Sequence, residues 1–156
     1  MLPKLKYNDL KNTRDTIQQY AQILSDVKSK FTPHLKNWEE YSLNVYAKGL
    51  TTTPIPIELS DKTEALDLNL NFKEHKLKIF FGRERLSADL PNDSVADFAK
   101  EVEVLLKKVG IKYSPPAEKL NDQQTAEYSK EQSEKFWNTL REIYFVMQQF
   151  MGKQLL

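Results

Sequence analysis

The stretch LDLNLNFKEHKLKIFFGRERLSADL, residues 66–90, decides the fold. Leu66, Leu68, Leu70 and Phe72 alternate with Asp67, Asn69 and Asn71. Leu77, Ile79 and Phe81 alternate with Lys76, Lys78 and Phe80, and Leu86, Ala88 and Leu90 with Arg85, Ser87 and Asp89. A period of two gives each strand one apolar and one polar face. The connections Lys73-Glu74-His75 and Gly82-Arg83-Glu84 are short enough for hairpins. The simplest reading is an antiparallel meander whose apolar face needs a cover. His75, in a turn, is expected to face solvent.

Upstream, Leu43, Val45 and Ala47 alternate with Ser42, Asn44 and Tyr46 and predict a fourth strand. Between it and the meander lies Gly49-Leu50-Thr51-Thr52-Thr53-Pro54-Ile55-Pro56-Ile57. Its β-branched residues favour extended backbone, but each proline removes a donor, so it cannot be a central strand. It reads as an edge segment or an ordered crossing loop, and the sequence leaves open whether it pairs. Downstream, Ile111-Lys112-Tyr113 is a candidate fifth strand.

Three helices supply the cover. Leu10, Ile17, Tyr20, Ala21, Leu24, Val27 and Phe31 share one face of a helix over residues 9–30. Thr13 and Thr16 fall in phase with it and should point inward, and Thr32-Pro33 ends it. Ser94 with Asp97 opens a second helix, striped by Val95, Phe98, Val102, Leu105, Leu106 and Val109 and closed at Gly110. A loop runs from Pro115-Pro116 to Glu127. Ser129 with Gln132 opens the last helix, whose stripe is Phe136, Trp137, Leu140, Ile143, Tyr144, Met147, Phe150 and Met151, with Gly152 as the stop. The expected fold is α+β: an antiparallel sheet of four to five strands with three main helices packed on one face.

With 156 residues, one domain spanning residues 1–156 is expected. Lys and Arg number 23 against 22 Asp and Glu, so no basic excess suggests a nucleic-acid partner. No run has the length of a membrane span or a signal-peptide core, and cysteine is absent, so a cytoplasmic chain without disulfides or thiolate metal sites is expected.

No glycine-rich phosphate loop, nucleophile elbow or metalloprotease motif is present. His34 and His75 are the only histidines, and neither has a carboxylate at metal-ligand spacing, so no metal and no cofactor is assigned. Glu39 and Glu40 are adjacent and cannot converge directly as a catalytic pair. Thr13-Arg14-Asp15-Thr16 admits two readings. Arg14 pairs with a carboxylate and holds the helix against residues 49–57, or it anchors an anionic ligand with Thr13, Thr16 and His34. Two surfaces suggest contact with a partner. Phe80 is an aromatic on a lysine-lined sheet face, beside Tyr46, Asn69 and Arg85. Phe145 and Val146 widen the last helix's stripe beyond one buried face, which suggests a homodimer seam or an unidentified protein partner. The leading functional reading is a non-enzymatic interaction module. The alternative is a small-molecule binder or enzyme with a pocket between the first helix and residues 49–57.

Thr13-Arg14-Asp15-Thr16, His34 with Trp38, Gly49-Leu50-Thr51-Thr52 with Pro54-Ile55-Pro56, Ser94-Val95-Ala96-Asp97-Phe98, and Phe136-Trp137 occur in this order. In these landmarks the chain resembles a bacterial family of uncharacterised proteins, a domain of unknown function, over roughly residues 10 to 153. Longer members of that family continue past a Gly-Lys like Gly152-Lys153 with a segment rich in His, Phe, Trp and Gly. The resemblance implies a shared fold unit and brings no activity with it.

Overall fold

The computed structural model describes residues 4–154. The elements are α1 (Tyr7–Phe31), a 3-10 segment (Lys36–Tyr41), β1 (Asn44–Tyr46), β2 (Gly49–Thr51), β3 (Ile55–Glu58), β4 (Thr63–Asn71), β5 (Lys76–Phe81), β6 (Glu84–Asp89), α2 (Val95–Lys108), the one-turn α3 (Ala117–Leu120) and α4 (Lys130–Gln154). All strand pairs are antiparallel. The sheet order is β1-β2-β4-β5-β6, with β3 also on β4. The α+β architecture and the meander over residues 66–90 are as the sequence indicates, and the sheet has six strands rather than four or five.

The proline-bearing segment pairs. It covers one long side of β4 in two pieces: β2 pairs with residues 69–71 and β3 with residues 63–66. Between them Thr53 turns into left-handed backbone (φ 61°) and Pro54 has no donor to offer. The gap is bridged by Thr52, which is fully buried. Its amide donates to the Leu68 carbonyl at 3.0 Å, and its hydroxyl accepts from the Leu68 amide at 3.1 Å. A side-chain oxygen thus replaces the missing carbonyl of the ladder, and β4 keeps a satisfied backbone. At the other end, a Cβ on Gly49 would lie 1.9 Å from the Leu70 carbonyl oxygen, so only glycine permits β2 to approach β4 here. Pro56 lies in β3, which has only β4 as neighbour, the edge position where a missing donor is tolerated.

The apolar face of the sheet packs under the helices in one cluster. Leu66, Leu68, Leu70, Phe72, Leu77 and Ile79 meet Ile17, Tyr20, Leu24 and Val27 of α1 and Phe98, Val102 and Leu106 of α2. Tyr20 and Phe98 stack with ring centroids 4.0 Å apart. The Ser94 hydroxyl accepts from the Asp97 amide at 3.1 Å and so caps α2. Gly110 takes the left-handed conformation after α2 (φ 81°), and the Ile111 amide returns to the Leu106 carbonyl at 2.9 Å. Residues 111–113 form no strand; Ile111 and Tyr113 are buried, and the Tyr113 hydroxyl donates to Asp26 of α1 at 2.8 Å. Gly152 does not stop α4, which runs on to Gln154.

Two outcomes test this frame. Thr52→Val keeps the shape and removes the hydroxyl, leaving the buried Leu68 amide unpaired. It is expected to lower stability by about 1–3 kcal/mol in urea unfolding, and an unchanged urea midpoint would contradict the bridging role. Burial pushes the hydroxyls of Tyr20, Tyr46 and Tyr128 up to about 12, and that of Tyr113 further in the same direction. A raised folded-state value means that stability is complete below the ordinary tyrosine range and is lost as pH rises through about 12. The phenolate absorbance of these four tyrosines should therefore appear together with unfolding, rather than ahead of it.

Candidate interaction surface

α4 begins on a polar anchor. The Thr13 hydroxyl on α1 accepts from the Ser129 amide at 3.0 Å, and the Thr16 hydroxyl donates to the Glu127 carbonyl at 3.4 Å. The Ser129 hydroxyl accepts from the Gln132 amide at 3.2 Å, which caps the helix. From the sheet side comes His75, at φ 54°. It is buried, not solvent-facing, because Tyr128 and the first turn of α4 close over it. Its Nε2 lies 3.0 Å from Glu134 Oε1 and its Nδ1 lies 2.8 Å from the Tyr128 hydroxyl. An ionised carboxylate only accepts, so Nε2 carries a proton and donates to Glu134. Ser133 Oγ stands 3.4 Å from the same Nδ1, but it is fully buried and donates to the Lys130 carbonyl at 2.9 Å. A nucleophile must reach its substrate, so this Glu-His-Ser group ties α4 to the sheet.

Past the anchor, α4 divides in two. Phe136, Trp137 and Leu140 pack on the core, with Phe136 edge-on to Phe72 at 6.3 Å. From Ile143 to the last described residue every side chain is exposed. Ile143, Tyr144, Phe145, Val146, Met147, Phe150 and Met151 are between 37% and 64% exposed. Phe145 and Val146, singled out in the sequence, are thus part of a larger apolar surface. Sequence periodicity identifies the stripe, yet it cannot tell where the stripe leaves the body, since that depends on where the anchor sets the start of the helix.

The other singled-out residues are dispersed. Arg14 is bound to Asp15 at 2.9 Å and lies over the Tyr7 ring at 5.4 Å. Its partner is the next residue on α1, so it does not hold the helix against residues 49–57. Thr13 and Thr16 are buried under the segment that leads to α4. His34 lies beyond the far end of α1, roughly 25 Å of helix from Arg14 at 1.5 Å per residue. The four residues do not converge. α1 and β3 meet through buried apolar side chains, Ile55 and Ile57 among them. On the open sheet face Phe80 is 38% exposed and pairs across the ladder with Arg85. Beside it the Asp67 carboxylate accepts from the Thr51 hydroxyl at 2.6 Å and the Asn69 amide at 3.0 Å. Among the described residues no group of three or more His, Asp or Glu could hold a metal ion, and no helix is long and apolar enough to cross a membrane.

A second apolar patch sits at the far end of α1. His34 and Trp38 meet edge-on at 4.6 Å, and Trp38 lies 6.1 Å from Tyr41. Asn37 and Trp38 both have left-handed backbone (φ 63° and 60°), which turns the Trp38 ring outward at 65% exposure. Beneath them Glu40 is buried, accepting from His34 Nδ1 and from the Leu35 amide at 3.0 Å.

Residues 2–155 match a family of unknown function. The chain belongs to that family, DUF5996. Neither a curated protein nor a solved structure matches it. The expected membership of an uncharacterised family therefore holds, and the family brings no activity to the surfaces described above.

Glu40 gives this region a pH dependence. Burial alone would push its carboxyl up, but backbone amides and His34 hold it below the ordinary carboxylate range. A lowered folded-state value adds stability above that range, and the contribution is lost as pH falls through it. Glu40→Gln should lower stability at neutral pH and flatten the acid limb of a stability-against-pH curve. Parallel curves for the two proteins would contradict this.

Proposed function

We propose that this DUF5996 member is a non-enzymatic interaction module that works as a homodimer joined through the C-terminal half of α4. One observation carries the reading: seven large apolar side chains stand exposed together on Ile143–Met151. Contiguous apolar surface of this extent on a soluble chain marks a contact site. Five of the seven, Ile143, Tyr144, Met147, Phe150 and Met151, share one stripe and expose on the order of 500 Å² per chain, taking large apolar residues at roughly 200 Å² each, so two copies would bury roughly the 1,000 Å² in total that a specific interface needs. Polar clusters elsewhere support the same reading, because they tie elements of the fold together. His75 with Tyr128 and Glu134 anchors α4, and Asp67 joins β2 to β4 through Thr51.

Light scattering should give about twice the 18.3 kDa chain mass at micromolar concentration. The double variant Met147→Glu, Phe150→Glu should run at the single-chain mass with a cooperative thermal unfolding transition retained, because neither side chain packs on the body. A wild-type chain that runs at 18.3 kDa would overturn the reading.

A further inference from the structure

The two halves of α4 together determine how two copies can meet. At about 100° per residue, Phe136, Trp137, Leu140, Ile143, Tyr144, Met147, Phe150 and Met151 all fall within an arc of roughly 140°. The helix therefore presents one continuous stripe. Its first part, Phe136 to Leu140, faces the chain's own core, and its second part, Ile143 to Met151, is exposed.

A partner helix on the exposed part must lie on the side of α4 that the body occupies one turn earlier. If the partner ran parallel and in register, its own residues 130–140 would continue along the stripe into Phe72, Trp137 and the sheet beneath them. Packed helices stand only about 8–10 Å apart, so that path is blocked. If the partner runs antiparallel, its N-terminal half leaves past the tip of the first helix, and its body lies beyond that tip. Nothing then collides.

Resting on the homodimer reading above, we infer that two copies of this chain join by an antiparallel pairing of their α4 C-terminal halves, with the two-fold axis near Met147. Met147 then meets its own copy, Ile143 meets Met151 of the second chain, and Tyr144 meets its Phe150. Antiparallel helix dipoles also run head to tail.

The chain has no cysteine, so single cysteines report geometry without background. In the full chain, Met147→Cys should cross-link to itself under mild oxidation. Met151→Cys should not, because antiparallel pairing separates the two copies of that position by roughly 12 Å along the axis, beyond the reach of a disulfide. An equal mixture of Ile143→Cys and Met151→Cys chains should form the mixed dimer. Self-linking at Met151→Cys without the 143–151 product would show parallel helices and overturn this inference while leaving the homodimer intact. A dimer by light scattering with no cross-link at any of these positions would place the seam elsewhere and overturn it as well. A monomer would remove the homodimer reading and this inference together.

Discussion

The structure depends on keeping the backbone of β4 satisfied where strands flank it on both sides, over residues 66–71. β5 runs along one side of that stretch without a break. The other side is reached only by a segment that carries Pro54 and Pro56, and such a segment cannot form an uninterrupted ladder. Thr52 resolves the conflict locally, with its amide and hydroxyl meeting both polar groups of Leu68. With that bridge in place, β4 can be nine residues long and span the whole apolar cluster. Leu66, Leu68 and Leu70 then lie side by side under α1 and α2, and the helices have a floor to pack on.

The position of α4 follows from the same floor. Phe72, just past the end of β4, receives Phe136 and Trp137, while the turn after it lifts His75 into the Tyr128–Glu134 contacts. Thr13 and Thr16 on α1 grip the approach to the helix from the other side. These contacts all fall in the first three turns of a 25-residue helix. The rest is held by its own backbone hydrogen bonds and by whatever packs on its stripe. Isolated helical segments of that length are marginal in water, so the proposed partner on the stripe would also add order at this end of the molecule.

Much of this was legible in the sequence where the cause is local. The meander follows from period-two alternation, and the α2 boundaries follow from Ser94, Asp97 and Gly110. The width of the α4 stripe signalled an unpartnered surface through Phe145 and Val146. What escaped depends on contacts between distant residues. The pairing of residues 49–57 was hidden because the first residues of β4, Thr63 to Ala65, carry too little alternation to announce a longer strand. The burial of His75 depends on Tyr128, more than fifty residues away in a different element. The sequence around Arg14 fits a ligand or a carboxylate alike, and its partner is the adjacent Asp15, a contact that spacing alone does not rank above others.

Pro56 in β3 has a consequence beyond the ladder. An open six-stranded sheet invites other chains to extend it at its margins, and each margin here resists extension. β3 offers a proline at its free side, β1 is only three residues long, and β6 exposes Glu84, Arg85 and Asp89. Backbone-to-backbone addition, the route to fibrous aggregates, is thereby disfavoured. The proposed self-contact would instead use side chains on a helix, whose packing has a defined stoichiometry and can come apart again.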